Sequence, residues 1–221
     1  MQLYRLIFSF LALITWQVSQ GQCTLKTAPY TEDFESSSWT KGNNRAAGSV
    51  DTCWTGTPID NFFFKTGSSN LFNTTGATND HTKGNSSGKY LFSVGSVSNF
   101  GNDTAEAISP PIDISSLSNP WLSYWYHMYG SDITFLETLI STDGGQTYTS
   151  LKKLNGQQQT SKTAPWKEQG IDLQSYANDT IQIKFKTVRQ GFDFNILTCI
   201  DDFKVAEKPS CPTPTNLTLD Y

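Results

Sequence analysis

The chain has 221 residues, of which 37% are hydrophobic, 13% aromatic and 16% charged, a composition typical of a globular protein rather than of a coiled coil, a collagen or a disordered tail. Its 16 Lys and Arg against 20 Asp and Glu give a formal net charge of −4. Because there is no basic excess, the chain lacks the electrostatic footprint of a protein that binds nucleic acid or anionic lipid, and we expect neither as a partner.

The N-terminal segment predicts export. Arg5 precedes an apolar run over 6–16, and the small residues Ser19 and Gly21 follow a polar stretch. This is the layout of a secretory signal peptide, and the run is shorter than the roughly 20 residues that span a bilayer. We predict a signal peptide over 1–21, so the mature chain is expected to be secreted or on the cell surface, without a membrane span.

The predicted export bears on the oxidation state of the four cysteines. Cys23, Cys53, Cys199 and Cys211 are an even number in an oxidising compartment, so two disulfide bridges are predicted. Three pairings are open, and Cys23 with Cys53 and Cys199 with Cys211 would keep both loops local. The closely spaced Cys or His pairs of a zinc site do not occur in the sequence.

Period-two alternation recurs along the chain, whereas helical periodicity is nearly absent. In 180–189, Ile181, Ile183 and Phe185 alternate with polar residues, which predicts a strand with one solvent-exposed face. Clusters of Gly, Asn, Ser, Thr and Pro separate such segments, which favours an all-β antiparallel sandwich or barrel. The other predicted strands cover 31–36, 61–65, 89–94, 104–109, 121–129, 134–142, 147–154 and 197–205.

The predicted strand over 121–129 lacks clean alternation. It has Trp121, Trp125 and Tyr129 on one face and other bulky residues on the opposite face. We therefore expect a central strand covered on both sides. His127 within it is expected to be a hydrogen-bonded core residue rather than a ligand-binding one.

A domain boundary is predicted near residue 206, because 206–215 carries three prolines and cannot continue a sheet. The domain then covers 24–206, and a Pro-rich linker begins at 207. The segment 211–219 resembles the opening strand of a fibronectin type III domain, which indicates that 207–221 leads into a longer modular protein.

Sequence blocks in a fixed order resemble one family. The blocks are Asp-Phe-Glu at 33–35, Cys-Trp at 53–54, Thr-Asn-Asp-His-Thr through Gly-Lys-Tyr-Leu over 78–91, Leu-Ser-Tyr-Trp-Tyr-His-Met-Tyr-Gly at 122–130 and Ile-Asp-Asp-Phe at 200–203. Together they resemble the MAM domain of meprins, neuropilins and receptor tyrosine phosphatases. The resemblance implies a jelly-roll antiparallel β-sandwich that acts as a non-catalytic adhesion or recognition module. It also implies an extracellular protein or glycan ligand and homophilic association.

Five carboxylates suggest a cation site. Asp33 and Glu35 lie on the first predicted strand, Asp80 in a polar loop, and Asp201 and Asp202 on the last strand. Because the first and last strands of a sandwich commonly lie together, we expect these groups to meet, and gathered oxygen ligands suit structural Ca²⁺. The resemblance supports this expectation, since some MAM domains bind such an ion. The alternative is that Asp80 caps its own turn and that the strand acids are solvated.

Residues for catalysis are scarce. After signal cleavage the histidines are His81 and His127 and the arginines are Arg45 and Arg189, and no His-Glu-x-x-His motif occurs. The segment 141–148 resembles the Asp-box of sialidases but occurs once. We interpret it as a β-hairpin whose Asp-Gly-Gly supplies the positive φ of a tight turn. We therefore predict no enzymatic activity.

A carbohydrate-binding accessory module is the alternative function, and an accessory domain of a secreted protease is a further one. Trp39, Trp54 and Trp166 are the candidate sugar-stacking residues because they lie in polar, loop-like sequence, although core or loop-holding roles are favoured. Five Asn-x-Ser/Thr sequons predict glycosylation in a eukaryotic host, with chance as the alternative. The sequon residues are Asn73, Asn85, Asn102, Asn178 and Asn216.

Overall fold

The computed structural model describes residues 23–39, 53–58, 62–67, 75–95, 104–189 and 197–210. The predicted signal peptide and the fibronectin-like segment over 211–219 lie outside these ranges. A short 3-10 turn covers Gln174–Tyr176. The strands, in chain order, are β1 (Lys26–Thr27), β2 (Tyr30–Glu32), β3 (Thr55–Pro58), β4 (Phe62–Gly67), β5 (Tyr90–Gly95), β6 (Thr104–Ile108), β7 (Ile112–Asp113), β8 (Pro120–Met128), β9 (Ile133–Ser141), β10 (Thr149–Asn155), β11 (Lys167–Asp172), β12 (Thr180–Arg189) and β13 (Thr198–Glu207).

The strands form two facing sheets. In the first sheet, β10, β9 and β12 are neighbours in that order, β6 and β7 both pair along β12, and β3 and β1 lie beyond them. In the second sheet, β11, β8 and β13 are neighbours, β5 and β2 both pair along β13, and β4 lies beyond β5. The β1–β7 pairing is parallel, and the neighbouring pairs named here are antiparallel. The predicted all-β jelly-roll sandwich is confirmed.

Alternation decides which side chains enter the space between the sheets. On β12, Ile181, Ile183 and Phe185 are fully buried, whereas the residues between them are partly exposed. Lys184, one of these, pairs with Glu106 of β6 at 3.1 Å on the outer face. Burying each such large apolar side chain stabilises the fold by roughly 1.5–3 kcal/mol.

An aromatic cluster fills the centre of the core. The ring of Trp54 stacks on Phe185 with centroids 6.5 Å apart and meets Phe203 edge-on at 5.1 Å. Trp39 is 1% exposed and packs edge-on against Phe34 at 4.9 Å. Trp39 and Trp54 are therefore core residues, the role that the sequence favoured, and neither offers its ring to a ligand.

The predicted strand over 31–36 is wrong in its second half, because β2 ends at Glu32. Phe34 has a φ of 58°, which a strand cannot contain, so the chain turns there. The Glu32 carboxylate accepts the Phe34 N–H at 2.9 Å and the Trp39 indole N–H at 2.9 Å, and so holds this turn against the core. Asp33 and Glu35 lie on either side of buried Phe34, with Asp33 exposed and the Glu35 side chain only 12% exposed.

Candidate functional site

The outer face of the second sheet carries two tryptophans. On β8, Leu122, Tyr124 and the later alternate residues are buried in the core, whereas Trp121, Ser123 and Trp125 are partly exposed on the other face. The expectation of a strand covered on both sides therefore holds only for the His127 end. The two tryptophans are four residues apart, so their Cα atoms are about 13 Å apart along the strand.

A bulge in β13 turns two consecutive aspartates to this same outer face. Asp201 pairs with Trp125 in register, whereas the next pair is Lys204 with Ser123, which leaves one extra residue in β13. Asp202 adopts a φ of 47°, a left-handed conformation that Asp tolerates better than most residues. Bulges of this kind redirect side chains. Simple alternation would have sent one of the two carboxylates into the core.

Asp80 organises the loop over 80–89 that lies beside this face. Its carboxylate is buried and accepts the N–H groups of Lys83 at 2.7 Å and Asn85 at 3.1 Å. A Cβ on Gly88 would lie 1.9 Å from the Asp80 Cγ, so only glycine allows the backbone to pass here. Asp80 therefore caps its own turn, the alternative role that the sequence left open.

Asp201 fastens this loop to the sheet. Its Oδ2 accepts the N–H of His81 at 2.8 Å, and its Oδ1 accepts the N–H of Asp202 at 2.9 Å. Burial raises the pKa of Asp201 to about 8, and these N–H donors oppose the shift. A buried carboxyl with its oxygens engaged in this way holds structure and offers little to a ligand.

His81 covers the ring of Trp125 on the outer face of the sheet. Its Nδ1 lies 2.5 Å from Oδ2 of Asp202, and its ring stacks on Trp125 with centroids 3.8 Å apart. Thr82 Oγ1 donates to the other oxygen of Asp202 at 2.7 Å. The bulged carboxylate thus sets the orientation of the imidazole over the indole.

A second loop, over 161–166, faces the first. The Thr78 N–H donates to the carbonyl of Lys162 at 3.0 Å, and the Trp166 indole N–H donates to the carbonyl of Asn79 at 3.0 Å. Trp166 also packs edge-on against Tyr90 at 5.4 Å. Trp166 therefore has the loop-holding role that the sequence favoured, and stacking on sugar is not its main task.

His127 lies fully buried beneath this second loop. Its ring meets Trp166 edge-on at 5.7 Å, and neither ring nitrogen makes a hydrogen bond within the described ranges. Burial lowers its pKa to about 4; the carbonyls of Ser161 and Ala164 oppose this shift without completing hydrogen bonds. The predicted burial of His127 is confirmed, and its hydrogen bond stays a prediction, with the backbone of Ser161 and Ala164 beside the ring.

Two clefts meet at Trp125, and we call them together the aromatic groove. The first has a volume of about 360 Å³ and the second about 300 Å³. The first lies between the two loops, and the second follows the outer face along β8 and β13. Residues that line the groove include Asn79, His81, Lys162 and Trp166 in the first cleft, and Trp121, Ser123, Glu168 and Lys204 in the second.

Trp121 lies across its neighbour strand because that strand has a glycine there. A Cβ on Gly170 of β11 would lie 2.4 Å from the Cζ2 atom of Trp121. The ammonium of Lys208 lies 4.7 Å from the centroid of the indole and 3.5 Å from the carboxylate of Asp172. The indole is therefore held close to the sheet surface, with a cation over its ring.

The five carboxylates predicted to bind calcium are arranged around the loop over 80–89. Glu35 accepts the N–H of Lys89 and pairs with the Lys83 ammonium, and Asp33 accepts the N–H of Glu35 at 2.9 Å. Among the described residues, no group of three or more His, Cys, Asp or Glu side chains is arranged to hold a metal ion. With N–H donors facing Asp80 and Asp201, the donor set as arranged does not fit Ca²⁺. Calcium binding stays a prediction.

The predicted disulfides and glycosylation sites also stay predictions. Cys23 and Cys53 are partly buried, and burial raises the pKa of the Cys199 thiol to about 12. Cys211, Asn73, Asn102 and Asn216 lie outside the described residues. The other two sequon residues, Asn85 and Asn178, are exposed, and Asn178 adopts a φ of 72° in a turn.

The hairpin interpretation of 141–148 is confirmed. The Asp143 carboxylate accepts the N–H of Thr147 at 2.9 Å and its hydroxyl at 2.5 Å, which lowers the pKa of Asp143 far below its usual value. Gly144 and Gly145 both have positive φ, 72° and 86°. The segment joins β9 to β10 and is distant in the fold from the aromatic groove.

The fold and the groove define a β-sandwich module with two tryptophans on the outer face of one sheet. The model of the MAM domain, meprin/A5/mu, matches residues 33–212. The chain belongs to this family, and membership supports an extracellular, adhesion-type module without catalysis. In the part of the chain that the structure describes, no helix is long and apolar enough to cross a membrane.

Two solved adhesin domains share the fold at low identity, and a third solved structure has a lower similarity. The K1 cleaved adhesin domain of Lys-gingipain from Porphyromonas gingivalis W83 is 13% identical, with a TM-score of 0.54 over 81% of this chain and 98% of that chain. The K2 cleaved adhesin domain of Lys-gingipain is 17% identical, with a TM-score of 0.51 over 81% and 99%. TmCBM61, solved with beta-1,4-galactotriose, is 15% identical, with a TM-score of 0.45 over 70% and 88%.

Proposed function

We propose that the protein is a secreted adhesion or recognition module that binds an extracellular ligand in the aromatic groove. The observation that carries the proposal is the placement of Trp125, which lies between two clefts on an outer sheet face. Globular proteins use partly exposed aromatic side chains as anchors in binding sites, because these side chains bury a large area at little entropic cost.

The surroundings of Trp125 favour binding by a preformed surface. Its strand is flanked by β11 and β13, so the backbone is held on both sides. The loop that carries His81 is fixed by Asp80 and Asp201 through hydrogen bonds to its peptide N–H groups. A surface that is rigid before binding loses little entropy when the ligand arrives.

The His81–Asp202 pair supports binding rather than catalysis. An imidazole beside a carboxylate is half of a nucleophile-activating arrangement, and the other half is a hydroxyl or thiol that hydrogen-bonds to the imidazole, a bond that does not occur among the residues the structure describes. Thr82 Oγ1 instead donates to Asp202. We therefore assign the pair to positioning of the imidazole over Trp125.

Trp125→Ala tests the proposed function. The wild-type protein and the variant are applied to an immobilised panel of extracellular matrix proteins and glycans, with thermal unfolding to confirm that both fold. Phe135→Ala is the matched control, because Phe135 is a partly exposed aromatic on the other sheet, covered by the Lys153 ammonium at 3.7 Å. We expect Trp125→Ala to lose the binding that the wild type has and Phe135→Ala to keep it. The reverse pattern, or a wild-type protein that binds nothing, would contradict the proposal.

Homophilic association is a narrower form of the same proposal, with a second copy of the chain as the ligand. Sedimentation of the wild-type protein tests it, since a dimer that dissociates in Trp125→Ala would identify the groove as the interface. A monomer at all concentrations leaves a different protein or a glycan as the ligand.

A further inference from the structure

We infer that the aromatic groove binds a neutral saccharide chain that lies across Trp125 and Trp121. This inference rests on the proposed function, because it names the ligand class of the same groove. Three features of the groove carry it: two indoles at a fixed spacing, carboxylates whose oxygens already accept hydrogen bonds, and a few polar side chains left to bind hydroxyl groups.

The two indoles suit the apolar faces of sugar rings. A pyranose presents a flat patch of C–H groups, which packs by dispersion and loss of hydration on an aromatic face. The absence of a side chain at Gly170 lets Trp121 lie close to the sheet, and Trp125 is fixed by the imidazole of His81. With Cα atoms about 13 Å apart on one strand, the pair matches an extended ligand better than a single ring.

The acids of the groove do not make it a cation site. Asp202 is engaged by His81 and Thr82, and Glu207 accepts the N–H groups of Ser118 and Asn119. Both carboxylates therefore already accept hydrogen bonds within the fold. A hydrogen-bonded carboxylate near the protein surface gains little further stabilisation from an added cation.

A basic peptide is disfavoured for a second reason. The ammonium of Lys208 already lies 4.7 Å from the ring centroid of Trp121 and 3.5 Å from Asp172. An incoming lysine would have to displace this internal cation for the same interaction. A hydroxylated ligand on the same ring would also have to move this ammonium aside, but it could then accept a hydrogen bond from it instead of competing with its charge.

Two charged side chains of opposite sign remain on the face. Glu168 of β11 is opposite Trp125, and Lys204 of β13 is opposite Ser123. Neither side chain makes a hydrogen bond or ion pair within the described ranges. One acceptor and one donor with no net charge, beside the Ser123 hydroxyl, match the hydroxyl groups of a neutral sugar and select against a polyanion.

Affinity electrophoresis tests the inference. The full chain is run in native gels that contain a neutral soluble polysaccharide (a β-glucan, a mannan, a galactan or a xylan) or an acidic one (polygalacturonate or heparin). We expect at least one neutral polymer to retard the wild-type protein and neither acidic polymer to do so. Trp121→Ala and Trp125→Ala should each weaken the retardation about tenfold, as expected for central aromatic anchors. Phe135→Ala should run like the wild type, and oligosaccharides should compete far better than monosaccharides.

The possible results separate the inference from the proposed function. Absence of retardation in every neutral gel, or retardation that survives both tryptophan variants, would overturn the inference. If the protein panel shows binding that depends on Trp125 while every neutral gel is negative, the groove binds a protein, the proposed function stands and the saccharide inference fails. Retardation only by heparin or polygalacturonate would also overturn it. Thermal unfolding of each variant confirms that lost binding is not lost folding.

Discussion

The imidazole of His81 lies nearly parallel to the indole of Trp125, with ring centroids 3.8 Å apart and an interplanar angle of 16°. This contact joins a loop to the sheet at the point where the two clefts meet. The loop is far from β8 in sequence, and the bulge at Asp202 supplies the carboxylate that orients the ring. The geometry of the groove therefore depends on three separate parts of the chain.

Replacing His81 tests this contact. His81→Ala removes the stacking and the Asp202 hydrogen bond, whereas His81→Phe keeps a ring over Trp125 and loses only the hydrogen bond. Since an aromatic pair contributes about 0.5–1.5 kcal/mol beyond area burial, we expect His81→Ala to lower the free energy of unfolding by roughly 1 kcal/mol and to weaken ligand binding. His81→Phe should be intermediate in both. Urea unfolding and panel binding measure these effects, and an alanine variant that matches the wild type in both would count against the contact.

Gly170→Val tests the position of Trp121. The new Cβ would lie 2.4 Å from Trp121, so the indole must move away from the sheet surface. Because Trp121 is partly exposed and is covered by the flexible Lys208 side chain at 4.7 Å, we expect a loss of stability below about 1.5 kcal/mol together with a clear loss of ligand binding. Gly56→Val is the control for a general effect of a bulky residue in a strand, because Gly56 lies in β3 of the other sheet and a Cβ there would meet only ordinary contacts, the nearest at 3.6 Å. Unchanged binding in Gly170→Val would show that Trp121 is not part of the site.

Gly88→Ala tests how Asp80 holds its loop. A methyl group at this position would lie 1.9 Å from Cγ of the buried Asp80 carboxylate, and the carboxylate cannot move without losing its N–H donors. We expect about 1–3 kcal/mol of destabilisation and a lower melting temperature. Ser86→Ala, in the exposed part of the same loop, should leave the melting temperature within a degree or so of the wild type. Equal melting temperatures for Gly88→Ala and the wild type would be inconsistent with this packing.

The lowered pKa of His127 predicts that the stability of the fold depends on pH. Its pKa is lowered from 6.5 to about 4 in the folded state, so between these values the unfolded chain binds a proton that the folded chain excludes. The contribution of His127 to the free energy of unfolding is therefore fully present above pH 6.5. It falls by up to roughly 3 kcal/mol as the pH drops toward 4. His127→Phe should remove that loss. Because Asp201 titrates in both proteins, the difference between the wild type and the variant isolates His127; parallel stability curves from pH 7 to 4 would refute the prediction.

Calcium titration tests the prediction drawn from the five acids. Calorimetric heat and a calcium-dependent rise in melting temperature, both lost in Asp80→Ala, would support it. The absence of heat would contradict it, and this is the result that the N–H donors around Asp80 and Asp201 favour.

The sandwich and its long strands were predictable because alternation follows directly from burial of one face. β12 begins and ends where its pattern of Ile181, Ile183 and Phe185 predicts. The short strands β1, β3 and β7 were not predicted, since two to four residues carry too little alternation. β11, with the sequence Lys-Glu-Gln-Gly-Ile-Asp, was also not predicted, because an edge strand has few buried residues to mark it.

The candidate site was only partly predictable. The sequence correctly predicts that the loop acid and the strand acids lie close together. It does not predict that peptide N–H groups donate to the carboxylates of Asp80 and Asp201, because these hydrogen bonds depend on the geometry of the loop. The sequence places Trp121 and Trp125 on one face of their strand, but it predicts a strand covered on both sides because the opposite face is also bulky. The signal that distinguishes them is the small residue between them, Ser123, which would not fill a second core.

The indole N–H signals of the tryptophans test the central claim most directly. In a ¹⁵N-labelled mature chain, the signals of Trp39, Trp54, Trp121, Trp125 and Trp166 can be assigned by single substitutions and followed while the ligand retained on the panel is added. We predict large shifts for Trp121 and Trp125 and none for Trp39 and Trp54, which are buried in the core. Saturable binding that leaves Trp121 and Trp125 unshifted would place the ligand elsewhere and contradict the account.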